Sequence, residues 1–451
     1  MRIVRRFPTW TAFGLCLALG FYASAQSEAQ RLTLLEAAER ALSYYPSVAV
    51  SVARRESAFE AAREAEAERF PAVSVGASAT QYQEPMIVHP LHALTPGQIP
   101  PFDQTLFQVS GQFSYTLFDG GARSSRIEAT RAEERASEEL VGEAGQSLLR
   151  LVIGAYLRAL GLAQAIEAHN HSITALESEL SRVRQLFDVG RAAQIEILRA
   201  EAAIAHAEAE RIAVASSLDR AERDLARLTG AAVERTRALD LVPVSMVESQ
   251  PPPRSELRDR ALAATPALRA ARQRLDAAGA SVLAARSARL PDIMLNGSYV
   301  DYASASGVNQ LEWSLGLRVT YALFTGGAIS GRIARAGAEE RRAAEEVRLV
   351  ESQVEQDLDI ALSGLDEARA RVLSLTTAVR RFEEVVRIER LRLATGVGIQ
   401  TDYFQSEADH LGARADLIRA EYEVIFAWTE LSRATGQLDL DWIETHLRSA
   451  P

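Results

Sequence analysis

Few residues in this chain have the types and spacing that chemistry needs. All fifty basic residues are Arg, and no Lys is present, so no amine is available for a Schiff base or a phosphate-binding loop. The one cysteine, Cys16, falls inside an apolar N-terminal stretch that reads as a cleaved leader. His169 and His171 are two apart on a helical pattern, so they point to different faces and do not pair on a metal. His89 and His92 lie in a proline-rich segment, 83–104. No HExxH, GxSxG, Walker or dinucleotide fingerprint sits in a context that would support it. The reading is therefore no catalytic residue, no metal and no cofactor, and the chain is not expected to be an enzyme. The formal charge of −10, or −13 once the leader's three Arg are removed, also argues against nucleic acid as a partner.

The expected leader is 1–25: Arg2, Arg5 and Arg6, an apolar run from Ala12 to Tyr22, then Ala23-Ser24-Ala25. Beyond it, Arg150 and Arg158 interrupt the most hydrophobic segment, so no transmembrane helix is expected.

The organisation of the chain comes from an internal repeat. Tyr115-Thr116-Leu117-Phe118-Asp119-Gly120-Gly121-Ala122 returns as Tyr321-Ala322-Leu323-Phe324-Thr325-Gly326-Gly327-Ala328, and 115–139 shares fourteen identities with 321–345. The offset of 206 also pairs Gly190 with Gly396; upstream an offset of 220 pairs Pro46 with Pro266 and Pro71 with Pro291. The excess of fourteen residues in the first copy falls in the segment holding His89 and His92, which is expected to be an outward loop, either a pore lid or solvated surface. The expected boundaries are a first repeat over 26–240, a proline-rich extended linker over 241–254, a second repeat over 255–436 and a tail over 437–451.

Each repeat has the same predicted grammar. A helical stretch (32–69, 255–289) is stopped by Pro71 or Pro291. Strands follow at 71–82 and 106–118, and at 291–302 and 311–324, with period-two alternation of apolar and polar residues. The alternation puts Glu312 and Arg318 on the polar face. Gly120-Gly121 and Gly326-Gly327 then act as strand-to-helix hinges, as Pro71 and Pro291 do on the other side. Long helices are predicted over 122–187 and 328–395, and shorter ones over 192–228 and 401–434. Sixty-six residues without proline imply a helix about 100 Å long, too long for a compact domain.

Strands of this length suit a soluble sandwich or a transmembrane barrel; export, length and aromatic placement favour the barrel. Tyr115, Phe118, Tyr321 and Phe324 fall where an interfacial aromatic girdle would lie. Four strands cannot close a barrel, and an open edge is not tolerated in lipid, so copies must share one. Two copies would give eight strands and three would give twelve.

Leu117-Phe118-Asp119-Gly120-Gly121 and its repeat, Phe187-Asp188-Val189-Gly190 and Leu228-Thr229-Gly230 resemble the outer-membrane efflux protein (TolC) family over nearly all of the chain beyond the leader. The resemblance implies a mixed α and β membrane protein, a tandem repeat whose four strands per chain contribute to a shared trimeric transmembrane β-barrel continued by a long periplasmic α-helical barrel. It implies an exit duct of a tripartite efflux or type I secretion system, working by passive conduction. The implied partners are a homotrimer, a periplasmic adaptor (membrane fusion) protein, an inner-membrane pump of RND or ABC type, and outer-membrane lipid. By position, Val189-Gly190-Arg191 and Thr395-Gly396-Val397 are the adaptor-binding tips, and Asp402, with Glu196 as its counterpart, the pore constriction. A second family carboxylate is replaced by Gln405. The competing role for Thr401 or Asp402 is to cap the helix that starts there. The alternative from another class is a periplasmic structural coiled-coil protein with a soluble β-domain.

Overall fold

The structure, a computed structural model, describes residues 31–93, 95, 97–230, 240–247 and 250–449. The expected leader lies outside the described residues.

The chain begins with α1 (Leu34–Tyr44), capped by Thr33, whose hydroxyl accepts from Glu36 N while the Glu36 carboxylate accepts from Thr33 N, both at 3.2 Å. It breaks at Tyr45, and α2 (Pro46–Ala67) restarts with Pro at its first position. The second repeat does the same, with α5 (Arg254–Ala264), an extended Thr265, and α6 (Pro266–Ser287). The single helical stretches predicted over 32–69 and 255–289 are therefore two helices each. Proline pushes its predecessor to extended geometry yet is well suited to open the next helix.

Four strands follow in pairs: β1 (Ala72–Ile87), β2 (Phe102–Phe118), β4 (Asp292–Ser304) and β5 (Asn309–Thr320). They form one antiparallel sheet in the order β1-β2-β4-β5, which among the described residues leaves β1 and β5 as edges. In register, Val73, Val75, Ala77 and Ala79 share a face with Phe113, Gly111, Val109 and Phe107. Leu311, Trp313, Leu315, Leu317 and Val319 continue that face on β5, and Trp313 is 73% exposed. Asp301, opposite Val109 and Leu311, places a carboxylate on this face. The first strand runs five residues past its predicted end, into the segment read as loop. The last stops at Thr320, four short of its predicted end, and strands Tyr321 and Phe324 outside the sheet.

Gly120 and Gly121, at φ 65° and 87°, turn β2 into α3 (Ala122–Asp188); Gly326 and Gly327, at 59° and 89°, lead β5 into α7 (Ala328–Ala394). Asp119 fastens the first turn by accepting from Gly121 N at 3.1 Å and Arg123 N at 2.7 Å. The return helices are α4 (Gln194–Thr229) and α8 (Gln400–Ala434). Each 67-residue helix is about 100 Å long, so the sheet sits at one end of the molecule and the helix turns at the other.

The core lies between. Leu148, Leu149, Val152, Ile153, Tyr156, Leu157 and Leu160 of α3 are buried against Leu34, Ala37, Ala38, Leu225, Leu228 and Ile425. By length and composition alone α3 could cross a membrane; its most apolar stretch is instead occupied by this core. The extended linker predicted over 241–254 holds a short strand, β3 (Val244–Met246), paired with β6 (Leu447–Ser449) of the tail, and α9 (Leu440–His446) precedes β6. Leu438, Trp442 and Ile443 of the tail complete the core.

Candidate functional site

The far ends of the long helices are built alike. Where α3 stops, Gly190 (φ 73°) donates to Phe187 O at 2.8 Å and Arg191 N donates to Leu186 O at 2.7 Å. Where α7 stops, Gly396 (φ 79°) donates to Leu393 O at 3.1 Å and Val397 N to Arg392 O at 3.0 Å. These paired bonds are the Schellman arrangement, which satisfies the last helix carbonyls and needs a left-handed residue that glycine supplies without strain. Thr395 adds its hydroxyl to Leu391 O at 3.0 Å. Gly398 is a further requirement that the repeat hid, because its counterpart is Ala192. A Cβ at 398 would fall 2.7 Å from Leu393 N and 2.8 Å from Arg392 C, so the turn closes too tightly for a side chain.

Apolar side chains stand in solvent around both turns: Val189 and Val397 are 67% and 73% exposed, and Ile195, Leu198 and Ile399 are also exposed. These exposed apolar residues lie at the end of the paired helices opposite the sheet.

Glu196 and Asp402 occupy equivalent third positions of α4 and α8. Neither Thr401 nor Asp402 caps α8, whose N-cap is Ile399 with no side-chain bond; the capping alternative does not hold. Asp402 is exposed. Glu196 is more enclosed, lying 3.5 Å from Arg199. With its amide nitrogen turned toward α4, buried Gln400 donates to Glu196 O at 3.1 Å and to the Glu196 carboxylate. This tie joins the tips of the two repeats. Gln405 donates to Asp409 at 2.8 Å, along its own helix.

Behind each turn an ion pair binds the helix to its return partner: Arg184 with Glu201 at 2.8 Å, and Arg390 with Glu407 at 3.0 Å. In the second pair Glu407 is buried and also accepts from the Tyr403 hydroxyl at 2.7 Å. Burial, then the neighbouring Glu407 carboxylate, pushes the Tyr403 phenol up to about 12. The second hairpin is thus held by a network that the first, with Ile197 at the matching place, lacks.

At the opposite end, His92 Nε2 lies 2.9 Å from Glu312 Oε1, so the long first-repeat loop reaches β5 on the sheet's polar face. His89 is buried beside Pro90 O. Among the described residues no group of three or more His, Cys, Asp or Glu converges on a metal-sized site.

A sheet apolar on one face is continued by paired helices about 100 Å long, and similarity to known proteins places this chain among the outer-membrane channel proteins with a periplasmic helical extension. The family model described as outer membrane efflux protein matches residues 37–231 and 257–437, and the chain belongs to that family, whose members are channels and not enzymes. It is 26% identical over 76% of its length to the outer membrane efflux protein BepC of Brucella suis, covering 75% of that protein. It is 28% identical over 72% of its length to the alkaline protease secretion protein AprF of Pseudomonas aeruginosa, covering 68% of it. The crystal structure of the outer membrane protein VceC from Vibrio cholerae superposes with a TM-score of 0.73 at 22% identity, covering 89% of this chain and 96% of that one. Family membership sets aside the soluble sandwich and the periplasmic scaffold.

Proposed function

We propose that three copies of this chain form the exit duct of a tripartite export system, conducting cargo passively from an inner-membrane pump, through a periplasmic adaptor, to the exterior. The observation that carries the reading is the open sheet: four strands, an apolar face and two unpaired edges. Unpaired backbone groups in lipid cost too much to leave open, so the strands must be completed by further copies. Three copies give twelve strands and a bore; two give eight, whose interior side chains would fill. The two repeats, 26–240 and 255–436, then alternate around the axis.

Similarity to both an efflux protein and a protease secretion protein supports a duct that serves whichever pump docks on it, RND or ABC. Docking falls to Val189-Gly190-Arg191 and Thr395-Gly396-Val397, where exposed valines flank rigid glycine turns. Tyr115, Phe118, Tyr321 and Phe324 anchor the lipid boundary. Asp402 lines the closed tip as a single acidic ring, since Gln405 is neutral and Glu196 is engaged by Gln400. Opening swings the tip helices apart at that Glu196–Gln400 tie, biased by adaptor contact.

In planar bilayers the detergent-extracted protein is expected to open cation-selective channels; absence of conductance would defeat the reading. Asp402→Ala should weaken block by multivalent cations by about tenfold or more, because three like charges at one constriction hold a cation jointly. Unchanged block and conductance would remove Asp402 from the constriction.

A further inference from the structure

The two repeats share one plan, and α3 departs from it in one place. Gly154, Gly161 and His169 stand on α3 where the offset of 206 puts Ile360, Glu367 and Leu375 on α7. A glycine inside a helix costs about 1 kcal/mol relative to alanine, so two of them on one face need a local reason. That reason is a pair of aromatic rings on α8. A Cβ on Gly154 would fall 3.0 Å from Phe426 Cε2, and one on Gly161 would fall 3.3 Å from Tyr422 Cδ2. The rings lie close against α3, and beside them a cavity of about 600 Å³ opens between α3, α4 and α8.

The lining is of two kinds. Leu157, Leu162, Val214 and Phe426 supply an apolar wall. Arg158, Arg419 and His169 supply polar nitrogen. Arg158 is exposed and has no ion pair or hydrogen bond among the described residues. Arg419 lies 3.3 Å from Asp416 of its own helix, and Glu423 at the rim is engaged by Arg371 at 3.3 Å. His169 is 7% exposed, and its Nδ1 is shut away from water with no partner. A buried polar nitrogen of that kind is costly unless something meets it. The contacts of Gly154 with Phe426 and of Gly161 with Tyr422 show that α3 and α8 run antiparallel, which places Arg419 between the levels of Arg158 and His169. The cavity thus leads from two guanidinium groups, across an apolar wall, to an unmet ring nitrogen.

We propose that this cavity binds an organic anion with an apolar body and a hydroxyl at its far end. Arg158 and Arg419 hold the anionic group, since a guanidinium is always charged and its planar fork matches a carboxylate. The body lies on Leu157, Leu162 and Phe426. The hydroxyl meets His169 Nδ1, and it suits that atom because it donates to or accepts from a ring nitrogen in either tautomer. The volume falls within the range of small-molecule sites. A purely apolar compound would leave Arg158 and His169 Nδ1 unmet, and a cation would be repelled by both arginines. Position sets lipid headgroups aside: Gly154 is about 48 Å along α3 from the sheet end of that helix. The site is complete within one chain, so it stands apart from the duct reading.

The test is equilibrium dialysis of the full-length protein in lipid nanodiscs against three fluorescent compounds. These are a naphthoate carrying a hydroxyl on the far ring, the same naphthoate without the hydroxyl, and the neutral hydroxynaphthamide. The hydroxynaphthoate should bind saturably, once per chain, about tenfold more tightly than either analogue. Arg158→Gln should weaken both naphthoates about tenfold and leave the amide unchanged. Because Arg158 is exposed, that substitution leaves the packing of α3 intact. His169→Leu installs the residue that α7 carries at the matching place. It should abolish the advantage of the hydroxyl while plain naphthoate binds as before. Equal affinity for the acid and the amide, or for the parent and Arg158→Gln, overturns the anion assignment. A hydroxyl advantage that survives His169→Leu overturns the role of His169. Uptake that does not saturate and is equal in all variants is partition into lipid, and overturns the site. So does the absence of any uptake, the result expected if a second copy covers the cavity.

Discussion

Tyr156→Ala is expected to be among the most destabilising single substitutions in this chain. The ring is fully buried on α3, and its hydroxyl lies 2.7 Å from Leu32 O and 2.8 Å from Val242 O. Those two carbonyls belong to the start of the first repeat and to the linker, which are themselves joined by Leu32 N to Asp240 O at 2.9 Å and Val242 N to Leu32 O at 3.2 Å. One side chain therefore ties the long helix to the place where the repeats are spliced. Burial raises the phenol well above its ordinary range, so the hydroxyl stays a proton donor at any physiological pH. Truncation to Ala leaves an aromatic-sized cavity, about 3–5 kcal/mol, and strips a donor from the carbonyls, about 1–3 kcal/mol more. Tyr156→Phe should lose only the second part. Thermal unfolding of the detergent-solubilised protein separates the two; an Ala variant as stable as the Phe variant would contradict the packing argument.

Gly436→Ala and Gly190→Ala form a matched pair with unequal expected effects. Both glycines follow the end of a helix and lie in the left-handed region, at φ 71° and 73°, and an L residue there is strained by roughly 1–2 kcal/mol. At Gly190 the added methyl meets nothing within 4 Å, so strain is the whole effect. At Gly436 it would fall 2.7 Å from both C and O of Ala264, backbone atoms that cannot rotate away. Gly436 O also accepts from Gln146 at 3.0 Å, so a shift there disturbs the contact with α3. Overlap of this kind adds about 1–3 kcal/mol. Gly436→Ala should lower the unfolding temperature clearly more than Gly190→Ala, and equal losses would show that the close approach to Ala264 is not maintained.

The features legible in the sequence are those imposed by local backbone chemistry or by repetition. Gly190 and Gly396 announced helix ends because a left-handed turn selects glycine, and the alternation in 106–118 announced a strand because one face is apolar and the other polar. The helix breaks before Pro46 and Pro266 were visible as residues, yet a proline at a helix start and one inside a helix read alike until the preceding dihedral is known. Pairing of β3 with β6 was not legible at all, since it joins three residues of the linker to three of the tail some two hundred positions away. At the tip, the equivalence of Glu196 and Asp402 could be read from spacing. Their unequal environments could not, because Gln400 reaches α4 only once the helices are packed.

The premature end of β5 is the most informative mismatch. Alternation from 311 to 324 reports what the residues are suited to, whereas pairing within one chain reports only the partners that chain contains.

The most direct test is the native mass of the complex extracted from outer membranes in detergent. Three chains per particle, resistant to dissociation until heated, is the predicted result. A single chain recovered in the aqueous fraction, with its sheet edges unshared, would contradict the account at its root.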